Sequence, residues 1–166
     1  MAVDWSLQLA QDVLLNSWQI AFPKGIPGGS NPDLIVARLD QTFTMPDKVI
    51  AFYTIDFRGS IILKPSKKED TDKTITFPVR IDQEWSVYDD LAAWQDMVYD
   101  PVTNIALPSA LTRIPIVVHN LDENEDIKKS FTFNYCFITN LKPTDWDMSS
   151  NEPSRAEVTV KYGYLS

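Results

Sequence analysis

The chain has 166 residues, 44% of them hydrophobic and 23% charged, a balance that excludes global disorder and fits one folded domain. Its 15 Lys and Arg stand against 23 Asp and Glu, a formal net charge of -8. It therefore lacks the cationic excess with which proteins grip phosphate backbones, and a basic protein partner suits it better. The lone cysteine, Cys136, excludes an intramolecular disulfide and a multi-cysteine metal site; within an apolar strand pattern it reads as a buried, inert thiol.

The N-terminus shows no basic leader followed by an apolar run, and no stretch approaches the roughly 18 apolar residues of a membrane helix. The expectation is a soluble protein made in a cytoplasm. Leu7, Ala10, Leu14 and Trp18 recur at helical spacing and predict an amphipathic helix over Asp4–Gln19, with Asp4 as its N-cap. Pro23, Gly25, Pro27, Gly28 and Gly29 then break regular structure.

From Asp33 the pattern turns to strand. "DLIVARL" is apolar on both faces, as for a covered strand. "KVIAFYTIDF" places Val49, Ala51, Tyr53, Ile55 and Phe57 on one face, with Ile50 and Phe52 on a second, partly apolar one. Arg58-Gly59 is a bend, and "SIIL" resumes extended structure. The polar run "KPSKKEDTDK", residues 64 to 73, reads as an exposed loop or hairpin tip. "TITFPVRI" is a strand with Ile75, Phe77, Val79 and Ile81 on one face, and Pro78 places it at an edge or a bulge.

"SVYDDLAAWQDMVY" is the best helix. Ser86 and Asp89 have capping-box spacing, Val87, Leu91, Trp94 and Val98 form the apolar stripe, and Asp100-Pro101 ends it. "LTRIPIVVHN" and "SFTFNYCFITN" pair across the turn "LDENEDIKK", with Phe131, Phe133, Tyr135 and Phe137 on one face. In the last strand Val158, Val160 and Tyr162 alternate with Glu157, Thr159 and Lys161, half buried and half wet. The fold class is mainly β with flanking helices: an antiparallel barrel or sandwich with one central helix and an N-terminal helix. No βαβ repeat supports a doubly wound sheet.

Chemical motifs are few. His119, the only histidine, sits at a strand end, and no nucleophile elbow, P-loop or dinucleotide fingerprint occurs. Asp89 and Asp90 are adjacent on a helix and do not face each other as a glycosidase pair would. The acids of "LDENEDIKK" lack the glycine and register of an EF-hand and read as an exposed hairpin tip. The reading is of a protein that is not an enzyme, with no catalytic residue, cofactor or metal.

The order of motifs is informative: a charged loop, then "TITFPVRIDQEWSVYDDLAAWQDMVYDPVTN", a strand pair, and "FTFNYCFITNLKPTDWDMSSNEPSRAEVTVKYGYLS". Over about residues 33 to 166 this resembles the tail tube proteins of contractile-tailed bacteriophages, the family of the T4 tail tube, related to pyocin and type VI secretion tubes. The resemblance implies a small antiparallel β-barrel with a flanking helix, in a single domain over 1–166: an N-terminal helix and Pro/Gly loop over 1–32, then a barrel core over 33–166 with the helix at 86–99. It implies a structural virion protein, assembled in the host cytoplasm, whose hexameric rings stack into the hollow inner tube of the tail.

The implied partners are the chain itself, the tail sheath protein, the baseplate hub or tube initiator, and the tail terminator. Genomic DNA passes through the lumen without specific binding, and no membrane is involved. By analogy Asp89, Asp90 and Asp96 on the outer face of the helix meet the sheath. Lys64, Lys67, Lys68, Glu69 and Asp70 of the polar run, with Trp146, contact neighbouring subunits. The N-terminal helix and Pro-Gly loop also suit a baseplate tube initiator of the same fold. The five Trp leave open a different class, a monomeric carbohydrate-binding β-domain.

Overall fold

The structure, a computed structural model, describes residues 18–29, 32–39, 43–47, 50–69, 72–122 and 124–166. Most of the helix expected over Asp4–Gln19 lies outside these residues. Its last two positions are not helical: Trp18 and Gln19 open strand β1 (Trp18–Ala21), which pairs antiparallel with β5 (Ile114–Leu121). Ile20 and Phe22 are buried while Gln19 is exposed, so this stretch has the two-residue period of a strand.

"DLIVARL" is a helix rather than a covered strand, α1 (Pro32–Arg38). A short run apolar on all sides does not distinguish the two by period. Its ends do: Pro32 stands at the first helical position, Asp33 in the first turn and Arg38 in the last, all favourable for a helix. Ile35 is buried in the core, and Leu39 forms an isolated bridge to Val79.

β2 (Ile50–Phe57) and β3 (Ser60–Glu69) form a separate two-stranded sheet. Arg58 and Gly59 turn at φ 48° and 79°, the paired positive angles of a tight hairpin whose twist suits the flanking strands. The tip is therefore this turn, and the polar run expected to form a loop continues β3 as far as Glu69, with Lys64 opposite Tyr53 and Glu69 opposite Ile50. Cross-strand pairing decides the conformation here over local polarity. Pro65 is tolerated because a two-stranded sheet leaves open edges.

The main sheet follows the order β1-β5-β6-β7-β4, where β4 is Thr74–Arg80, β6 Ile127–Pro143 and β7 Arg155–Lys161; the short β8 (Tyr164–Leu165) also pairs with β6. Every pairing is antiparallel. Among the described residues the ends of this path do not join, so the sheet wraps a core without closing into the expected barrel. β4 lies at an edge, as Pro78 predicts.

Helix α2 (Ser86–Val98) packs on β6 and buries Val87, Leu91 and Trp94. The Trp94 indole donates to the Thr112 carbonyl at 2.8 Å, so the largest buried side chain is also satisfied as a donor. The expected Ser86 capping box is not what starts α2. Asp82 accepts the Ser86 and Val87 N–H groups at 3.2 and 3.1 Å, with Trp85 at φ 61° between them. A carboxylate four and five residues upstream reaches those donors because Trp85 turns the chain through the left-handed region. The Pro-Gly loop lies against α2: a Cβ on Gly28, at φ 73°, would stand 3.0 Å from the Met97 sulfur.

The aromatic alternation expected along β6 holds only in part. Phe133 is buried but Tyr135 is exposed at φ 57°, and the next buried residue is Cys136. The register against β5 shifts at this point, from Ile116↔Phe133 to Ile114↔Cys136. This bulge moves the inward face by one residue. Burial pushes the Cys136 thiol up to about 12, which keeps it protonated and unreactive. β7 alternates as expected, with Val158 and Val160 inward and Glu157 and Lys161 outward.

Candidate assembly surfaces

Among the described residues the β2–β3 hairpin is an apolar element that other elements barely touch. Phe52, Ile61 and Leu63 are 68%, 70% and 64% exposed, and Ile50, Tyr53, Phe57 and Ile62 are exposed too. The contacts of β2 and β3 are overwhelmingly with each other. Contiguous apolar surface of this kind is rare on monomers and marks contact sites. Of the residues expected to reach neighbouring subunits, Lys64 is exposed on β3, Lys67, Lys68 and Glu69 lie on the same strand, and Asp70 falls outside the described residues.

Trp146 lies elsewhere, in the connection between β6 and β7, and is 76% exposed. Its ring meets Trp85 edge-on at 5.9 Å, and Trp85 meets Tyr88 at 5.4 Å, so an aromatic row runs from the connection onto the first turn of α2. The connection is shaped by its own polar groups. Asp147 accepts the Ser149 hydroxyl and N–H at 2.7 and 2.9 Å, and the Thr144 hydroxyl donates to the Arg155 carbonyl at 2.9 Å. The Ser149 hydroxyl, then its N–H, hold the Asp147 carboxyl below its ordinary range. Asp145, Asp147 and Glu152 line the same groove as Trp146, with Arg155 paired to Glu152 at 3.6 Å. Aromatic rings among carboxylates suit a cationic partner.

Asp89 and Asp96 are exposed on α2, two turns apart and hence on one side of it, while Asp90 is half-buried. The structure thus separates the expected contact residues into the hairpin, the Trp146 groove and the outer face of α2.

A further surface was not singled out from the sequence. Between α2 and β5, residues 101–111 are all exposed, among them Val102, Ile105, Leu107 and Leu111, with Tyr99 beside them. Hydrogen bonds brace its first half. The Asp100 N–H donates to the Ile105 carbonyl at 2.9 Å, and the Asp100 carboxylate accepts the Val102 N–H and the Thr103 hydroxyl at 2.9 and 2.7 Å. The Tyr99 hydroxyl and Asn104 side chain meet at 2.7 Å, and the Leu107 N–H reaches back to the Met97 carbonyl at 3.2 Å. The Thr103 hydroxyl, then the Val102 N–H, hold the Asp100 carboxyl below its usual range. The legible signal was an apolar run between Pro101 and Pro108 without strand or helix period.

Among the described residues no three His, Cys, Asp or Glu side chains are grouped to hold a metal ion. His119 shares a hydrogen bond with Ser130 across the β5–β6 pair, at 2.8 Å. In the β5–β6 turn Asp122 accepts the Asn124 and Asp126 N–H groups at 2.8 and 2.9 Å and pairs with Lys128 at 2.9 Å. No helix among the described residues is long and apolar enough to cross a membrane.

A scan against protein-family models finds no match, and a search of curated proteins finds none. Solved structures do match over nearly the whole chain. A chain of the anti-feeding prophage baseplate is 10% identical with a TM-score of 0.68, covering 95% of this chain and 96% of its own. The anti-feeding prophage tube-terminating cap is 16% identical with a TM-score of 0.61, covering 95% and 91%. A chain of the sheath-tube complex of PVC, an extracellular contractile injection system, is 13% identical with a TM-score of 0.60, covering 100% and 97%. At these identities the likeness is one of fold. The chain has the fold found in tube-associated components of contractile injection systems, as the motif order in its sequence leads one to expect.

Proposed function

We propose that the chain is a non-enzymatic structural subunit of the tube of a contractile tail, assembling into hexameric rings that stack into a hollow conduit. The observation that carries this reading is the β2–β3 hairpin, an apolar element left exposed among the described residues, within a fold shared with tube-terminating and baseplate components. A neighbouring copy covers the hairpin in this reading, and Trp146 packs at a subunit boundary. Asp89, Asp90 and Asp96 face a sheath protein, and the tube ends meet a baseplate and a terminator. The net charge of -8 suits a conduit through which DNA, in a virion, slides without being held.

Light scattering across a concentration series tests the self-assembly. Wild-type protein is expected to form oligomers whose mass grows with concentration, and Trp146→Ala to weaken them with the monomer still soluble. A single monomeric mass at all concentrations would remove the reading.

A tube initiator in the baseplate is the second reading, favoured by the TM-score of 0.68 to a baseplate chain. Quantitative mass spectrometry of intact particles separates the two. A tube subunit is present in a large multiple of the baseplate copy number, and an initiator equals it.

A further inference from the structure

We infer that the face of β6, β7 and β4 turned away from the core is a cationic surface for the phosphates of a nucleic-acid strand, contacted without regard to sequence. The inference concerns a single chain and stands whether or not copies assemble.

Register defines the face. Val158 and Val160 of β7 and Ile75, Phe77 and Val79 of β4 point into the core, so the residues between them point away from it. The pairings set Lys161 beside Phe137, Lys142 beside Glu157, and Arg155 beside Arg80. Arg113 joins them, its guanidinium 5.2 Å from the centre of the Phe137 ring. Five cations thus share the face with one acid, Glu157, in a chain of net charge -8. Strand alternation scatters these cations among core residues in segments far apart, so no basic stripe shows in the sequence.

The acids at the border do not cancel this charge. Asp72 stands 3.8 Å from Lys161, and Glu152 stands 3.6 Å from Arg155. Beyond Arg155 the acidic Trp146 groove begins. Arg80, Arg113 and Lys142 make no ion pair with the described residues, and Lys142 does not close on Glu157 although the two are opposite in register. Arg80, Arg113, Lys142 and Lys161 are exposed and Arg155 is half-buried.

Between the cations lies a polar row, Asn140, Thr159 and Thr76. Arg, Lys, Thr and Asn are the side chains that position phosphates, and phosphate contacts carry no sequence information. The cations spread over about 20 Å along the strands and about 10 Å across them, which suits a chain charged at every unit better than one carboxylate. The acids elsewhere in the chain repel the same ligand, so the contact is weak and salt-sensitive.

Fluorescence anisotropy of a labelled single-stranded oligothymidylate, at a protein concentration that light scattering shows to be monomeric, tests this. Three unpaired cations predict a slope of about -2 in log affinity against log salt, a fall of about 100-fold from about 20 mM to about 200 mM salt. Arg80→Glu with Lys142→Glu should weaken binding at the lower salt by at least about tenfold and make the slope shallower by about one unit. Lys24→Glu with Lys129→Glu lowers the net charge equally but lies off the face, and should cost less than about threefold. All four positions are exposed, so both variants are expected to fold, with circular dichroism and melting as the check.

Equal losses in the two variants would overturn the inference, since binding would then follow net charge alone. So would wild-type protein that leaves the strand free at the lower salt. A labelled polyglutamate peptide bound more tightly than the strand would also overturn it, in favour of an acidic protein partner. Self-assembly is read separately by light scattering, so none of these results decides the tube reading.

Discussion

Ile75, Phe77 and Val79 of β4 are buried in the same core cluster as Val87, Leu91 and Trp94 of α2, whereas Phe52, Ile61 and Leu63 of the hairpin stand in solvent. The two regions draw on the same kinds of residue. They differ in what their sequence neighbours supply. β4 alternates strictly, so one face is apolar and that face joins the common core. The hairpin is apolar on both faces, and a two-stranded sheet has no second layer of its own. Burial in the first region stabilises the subunit; burial in the second is available only on contact with another molecule. The difference assigns the first to folding and the second to assembly.

That division can be broken by mutation. The largest expected effect is Trp94→Ala, which empties the centre of the core and orphans the Thr112 carbonyl. It should cost about 3–5 kcal/mol in urea unfolding, and a loss below ~1 kcal/mol would mean the core is not where the stability lies.

Next is Asp82→Ala, which removes the acceptor for two N–H groups at the start of α2 and should cost about 1–2 kcal/mol. Burial raises the Asp82 pKa, but the hydrogen bonds from the Val87 N–H and from the Ser86 side chain and N–H outweigh it, and the net shift is downward. A depressed folded-state pKa gives stability that is present above the unfolded value of about 3.9 and is lost as pH falls toward the folded one. The variant should therefore show a shallower acid loss of stability below about pH 4 than the wild type. An unchanged acid limb would remove Asp82 from the capping role.

The smallest effect on the monomer is expected where the effect on assembly is greatest. The Ile61→Asp, Leu63→Asp pair should change unfolding free energy by no more than about 0.5 kcal/mol, as for other surface substitutions. A large loss would show that the hairpin belongs to the folding core.

Much of this division was legible in the sequence. The stripe of α2, the alternation of β4 and β7, the β5–β6 pair and the turn at Arg58-Gly59 all follow from periodicity and turn chemistry, because each depends on residues close in sequence. The rest depends on partners distant in sequence. "KPSKKE" reads as loop by polarity and becomes strand by pairing with β2. "DLIVAR" is equally apolar as strand or helix, and its termini decide. The bulge at Tyr135 shifts the buried face of β6 for reasons of pairing with β5 that no local pattern carries. Of the contact surfaces, Trp146 announced itself as an aromatic ring in a polar connection. The 99–111 segment did not, since its exposure comes from the fold and its residues are of the kind usually found inside.

Whether this chain assembles through the surfaces left bare among its described residues is decided by negative-stain electron microscopy of the purified protein at rising concentration. Hollow rings with six-fold symmetry in end views and stacked tubes in side views are expected. A field of uniform single subunits at every concentration would contradict it.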